Sequence, residues 1–128
     1  MNRGVVVADT DVFLDYLEGR GAEAAVTALL RKRKLATTAV TVFEVWRGLE
    51  SAVARREAAL ALRGVRVYAM NAEVARRAAE LQRQLRGNEI GDHDTMIAGT
   101  CLAVGRPLLT RNVRHFQRVP GLELVQAR

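Results

Sequence analysis

The amino-acid sequence predicts an α/β domain, a parallel sheet covered by helices on both faces. Two observations carry this. Five short runs, VVVA (5–8), LATTA (35–39), VRVYAM (65–70), PLLT (107–110) and LELV (122–125), are near-continuously apolar rather than alternating, as strands buried on both faces must be. The stretches between them have helical spacing, and strands alternating with helices are the pattern of a parallel sheet. The 128 residues, 49% hydrophobic and 27% charged, suit one domain spanning 1–128 with one proper core.

Each element has its own signal. Run 5–8 passes into DTD and then VFLDYL, a helix that Asp9 or Asp11 could cap. Residues 21–33 put Ala25, Val26, Leu29 and Leu30 on one face. That helix leads into RKRK (31–34), a cationic end that complements the helix dipole. Residues 41–49 and 52–63 read as two helices parted near Gly48, the second capped by Ser51. Residues 72–86 start at Asn71, carry Val74, Ala78, Leu81 and Leu85, and stop at Gly87. The last long helix runs from about 93 to 104, with Asp92 as its N-cap and Gly105 as its end. A short VRHF turn follows the fourth strand, with Thr110 or Asn112 placed to cap it.

Composition narrows the function classes. No run approaches the roughly 18 apolar residues of a membrane span, and the acids in the opening stretch are unlike a signal peptide. The lone Cys101 lies in an apolar helix and reads as a core residue, which suits a reducing cytosol. A net charge of +6 favours a polyanionic partner such as nucleic acid. Arginine outnumbers lysine 18 to 2, so a coding bias can also produce that excess.

Ligands of an open parallel sheet bind beyond the carboxyl ends of its strands, which directs attention to four places. Asp9 is the first residue past strand 5–8. Glu44 stands among Val40, Val42, Phe43, Val45 and Trp46, where a carboxylate needs a cation, an ion pair with Arg47 or Arg55, or solvent. Asp92, His93 and Asp94 open an apolar helix. One acid suffices to cap it, which leaves Asp94 for a ligand and His93 exposed or supporting. Thr110 and Asn112 follow the fourth strand, with Arg111, Arg114 and His115 close behind. Oxygen ligands without cysteine suit Mg²⁺ or Mn²⁺, and such an ion in a basic protein suggests phosphodiester chemistry.

In these segments the chain resembles the PIN-domain ribonucleases, most closely the VapC toxins of toxin–antitoxin pairs. VVADTDVFLDYL looks like their opening strand and first acidic motif, and TTAVTVFEVWRG like the helix carrying their glutamate. IGDHDTMIAGTCLAVG resembles their third acidic motif, and PLLTRNVRHFQRVPGLELV their ending. The resemblance implies a three-layer α/β/α sandwich and a cytoplasmic, Mg²⁺-dependent endoribonuclease, with Mn²⁺ as the alternative ion. Asp9, Glu44 and Asp94 take the catalytic, metal-binding positions, and Thr110 matches the family's small hydroxyl residue. The fourth acidic position falls on Asn112, an amide, for which Asp92 or Asp11 could compensate. Arg111 and Arg114 are the candidates for RNA phosphates. A homodimer and a cognate antitoxin are implied. Phe13, Leu14, Phe43 and Trp46 are candidates for the antitoxin groove, and Trp46 is the one expected to be exposed. The competing reading is a catalytically impaired module that binds RNA or antitoxin, for which Asn112 speaks.

Overall fold

Strand β1 (Val6–Ala8) lies at the centre of a five-stranded sheet because both faces of its apolar run find a core. Val5 and Val7 join one core, and Val6 and Ala8 face the other. The computed structural model of the chain describes residues 4–127. In it, β2 (Leu35–Thr38) and β4 (Leu108–Thr110) flank β1, while β3 (Arg66–Tyr68) and β5 (Leu124–Gln126) form the edges. Every pairing is parallel.

Helices cover both faces. On one side α1 (Thr10–Glu18) and α2 (Glu23–Arg31) set Val12, Ala22 and Val26 against Ala8, Leu35 and Leu109. On the other, α5 (Ala72–Gln84) and α6 (Asp92–Val104) set Leu81, Leu85, Ile97, Ala98 and Cys101 against Val7, Ala36 and Leu108. The result is the three-layer α/β/α arrangement. Helices α3 (Ala39–Trp46) and α4 (Ala52–Ala61) connect β2 to β3, and α7 (Val113–Phe116) follows β4. Among the described residues, no helix is long and apolar enough to cross a membrane.

Several ends match their sequence signals. The side chains of Asn71 and Ser51 accept the amides of Val74 and Ala54 as N-caps, and Gly105 ends α6 in the left-handed region. Other ends differ. Helix α3 starts at Ala39, earlier than its periodicity suggests, because Thr38 caps it by accepting the Thr41 amide. Strands β3 and β5 read as buried runs, yet Arg66, Val67, Val125 and Gln126 are exposed, since each edge strand has only one neighbour.

The α5–α6 pair is close because of one glycine. A Cβ on Gly99 would lie 2.9–3.0 Å from the Cβ, Cα and N of Ala78, and backbone cannot yield as a side chain does. Replacing Gly99 by alanine should therefore cost about 1–3 kcal/mol through overpacking. Urea titration would measure it, and an unchanged midpoint would show that the two helices separate without penalty.

Strand order fixes where a ligand can go. The chain lays β1, β2 and β3 outward in one direction, then crosses back to place β4 on the other flank of β1. That reversal opens a crevice beyond the carboxyl ends of β1 and β4.

Candidate active site

The crevice holds acids from three separate segments. Asp9 follows β1, Glu44 comes from α3 and Asp94 from the first turn of α6. With Thr10, Asp11, Asn112 and Phe116 they line a cavity of about 240 Å³. The three acids singled out in the sequence are thus brought together, and Asn112 joins them.

Each carboxylate is held by its own local structure. Asp9 has both roles open to it in the sequence, because it caps α1, its Oδ1 accepting the Val12 amide at 3.0 Å, and also faces the cavity. Glu44 is half-buried. Its Oε1 accepts the Thr10 hydroxyl, and its Oε2 lies 3.0 Å from His93 Nδ1 and 3.8 Å from the Arg47 guanidinium. Asp94 Oδ2 is 2.8 Å from His115 Nε2, which also lies 3.1 Å from the Ile90 carbonyl. A carbonyl can only accept, so Nε2 carries the proton and donates to both. Both histidines of the chain therefore bond to a carboxylate of this crevice.

The electrostatics suit a cation. Burial pushes the Asp9 carboxyl up from 3.8 to about 6. The Thr110 hydroxyl and the Val12 amide partly oppose this, and the Asp11 and Asp94 charges add to it. Burial also raises Asp94, against the pull of His115 and with the help of Glu44 and Asp11. Carboxylates that repel one another in a dry crevice are eased by a hard ion. Among the described residues, no three His, Cys, Asp or Glu side chains are drawn together closely enough to form a metal cluster. The donor set fits an ion such as Mg²⁺, which keeps several of its own waters and takes only one or two carboxylates.

Two expectations change, the cap of α6 and the exposed aromatic residue. Gly91, at φ +92°, precedes α6, so Asp92 is not the cap but the first helical residue. Asp92 instead accepts the Gln82 amide at 3.0 Å, and it borders a neighbouring depression rather than the cavity around Asp9. Arg111, a candidate for RNA phosphates, is half-exposed, and its Nε lies 3.0 Å from the fully buried carboxylate of Asp15. Arg114 stays exposed without an ion pair among the described residues. Phe43, 55% exposed, takes the place expected of Trp46, which is partly buried, and Phe13 belongs to the core. Thr110 is fully buried and accepts the Asn112 amide at 2.9 Å, while the Asn112 side chain makes no capping bond. Cys101 is buried with its thiol pushed up to about 12, an inert core residue.

Of the acids' partners, Arg47 and His93 are legible in the sequence, and Thr10 and His115 are not. Thr10 neighbours Asp9 in sequence but serves Glu44, 34 positions on, and His115 reaches Asp94 from α7. No spacing signal joins residues so far apart.

Known proteins share this fold. The Rickettsia felis VapBC2 crystal structure, bound to a DNA fragment from its promoter, matches 95% of the chain and 98% of its own, at 20% identity and a TM-score of 0.82. A toxin–antitoxin complex from Klebsiella pneumoniae matches 96% and 98%, at 22% identity and a TM-score of 0.77. In sequence, the ribonuclease VapC19 of Mycobacterium tuberculosis is 34% identical over 120 residues, 90% of this chain and 94% of that one. Residues 6–122, nearly the whole length of the sheet and its helices, fit the PIN-domain profile, and the chain accordingly belongs to the PIN-domain family.

Proposed function

We propose that the protein is a metal-dependent endoribonuclease, the toxin of a toxin–antitoxin pair. The observation that carries this is the convergence of Asp9, Glu44 and Asp94 on one crevice at the strand-order reversal. It is supported by the ribonuclease named among the relatives and by the toxin–antitoxin complex that shares the fold.

Asp9, Glu44 and Asp94 would hold the ion, Mg²⁺ with Mn²⁺ as the alternative, one or two of them directly and the rest, with Asn112, through its waters. When bound, such an ion supplies a more acidic water and offsets charge on the attacking and leaving oxygens of a phosphodiester. The protein's own residues do the positioning. Thr10 and His93 hold the two oxygens of Glu44, and His115 holds one oxygen of Asp94, leaving the other free. Arg114, and Arg111 alongside its ion pair with Asp15, are the candidate contacts for flanking phosphates. A cognate antitoxin, a homodimer and a cytosolic location complete the reading.

Incubating the antitoxin-free protein with total tRNA and ribosomal RNA tests it. Cleavage in Mg²⁺ or Mn²⁺ that stops in EDTA is the expected result. Silence from a folded protein on every RNA and with either ion would favour the binding module that has lost catalysis.

A further inference from the structure

Beside the acidic cavity lies a second depression of about 420 Å³, bordered by Glu44, Ile90, Gly91, Asp92, His93 and Asp94. Glu44 and Asp94 belong to both, so the two hollows are continuous across the acids. The second is large enough for a nucleotide. The ring of Phe43, one residue before Glu44, packs edge-on against the bordering His93 at 5.7 Å and 77°.

Single exposed hydrophobic residues are ordinary, and exposure alone says nothing. Phe43 differs from the exposed Val53 and Leu60 in being an aromatic ring with its orientation fixed on two sides. His93 abuts it, and the Arg47 guanidinium lies 5.4 Å from the ring centroid. The same guanidinium is 3.8 Å from Glu44, so it reaches from the ring to the acids. A half-exposed aromatic ring and a cation beside the acidic site are the groups that base, phosphate and cleavage point of a nucleic-acid strand would meet. Single-stranded RNA is bound in this way, by stacking bases on aromatic side chains and setting phosphates against arginine.

We propose that Phe43 and Arg47 form a nucleotide subsite next to the cleavage point, Phe43 stacking on an unpaired base and Arg47 contacting the adjoining phosphate. This rests on the ribonuclease reading. The site takes an extruded or single-stranded nucleotide, because a base within a duplex offers no face to stack on.

Binding of a mixed-sequence single-stranded RNA 12-mer, followed by fluorescence anisotropy in the Asp9→Asn background, tests the subsite. Phe43→Leu should weaken binding about tenfold with the salt dependence unchanged, and Phe43→Tyr should restore it. Arg47→Gln should lower the salt slope by about one. Leu60→Ser, at an exposed position on α4, should behave as the parent. A Phe43→Leu protein that binds the 12-mer as tightly as its parent, whether or not it loses a protein partner, overturns the subsite. Cleavage is scored separately with Asp9 intact. Metal-dependent cleavage with a KM indifferent to Phe43→Leu removes the subsite alone. RNA binding that needs Phe43, without any cleavage, removes the nuclease reading and leaves the subsite standing.

Discussion

Asp9→Asn is expected to lower RNA cleavage by about 10²–10³-fold, the usual loss when one preorganised charge contact at a reacting centre is removed. The same change should make the metal-free protein more stable. The sign follows from the raised carboxyl of Asp9, at about 6 in the folded chain against 3.8. Below the lower value both states are protonated and there is no penalty. Between the two values the unfolded chain releases a proton that the folded one keeps, and the penalty grows with pH. Above 6 the folded chain carries the full cost of a buried charge, about 2–3 kcal/mol at most. Asparagine carries no charge and can still accept the Val12 amide. Thermal melts in EDTA should therefore show the variant above the parent at pH 7–8 and level with it near pH 4. Mg²⁺ should narrow the gap by stabilising the parent. A variant that melts lower at neutral pH would mean that Asp9 serves the fold and not a cation.

The second large effect concerns stability rather than activity. Arg111→Ala should cost about 2–3 kcal/mol, because among the described residues it leaves the buried Asp15 carboxylate the Ala22 amide as its one hydrogen-bond partner. The guanidinium is half in water, which keeps the figure below that of a fully buried pair. The melting temperature should fall by roughly ten degrees. Removing the charge as well, in Asp15→Asn with Arg111→Ala, should recover part of the loss. An Arg111→Ala protein that melts with the parent, but binds RNA with a flatter salt dependence, would assign Arg111 to the substrate path instead.

These cases mark where the sequence is readable. Strands 5–8 and 107–110 are legible because burial on two faces demands unbroken apolar runs. Asp9, Glu44 and Asp94 stand out because carboxylates beside such runs carry a cost that requires a reason. The start of α6 is misread because an aspartate is an ordinary cap, whereas the positive φ of Gly91 is a backbone property with no side-chain signature. The edge strands mislead because an apolar run does not state how many neighbours it has. Least visible are the pairs Asp15–Arg111 and Asp94–His115, which exist only once distant segments have met.

That distance bears on how the molecule comes into being. The strands that bound the crevice begin at residue 6 and end at residue 110, so about a hundred residues must leave the ribosome before they can pair. Joining ends about a hundred residues apart costs roughly 4 kcal/mol of chain entropy, a barrier that slows folding until late contacts repay it. A nascent chain can set Glu44 near Asp9 early, but the third acid and the wall bearing Asn112 arrive later. A growing polypeptide thus holds Asp94 apart from the other two acids until these distant segments have met.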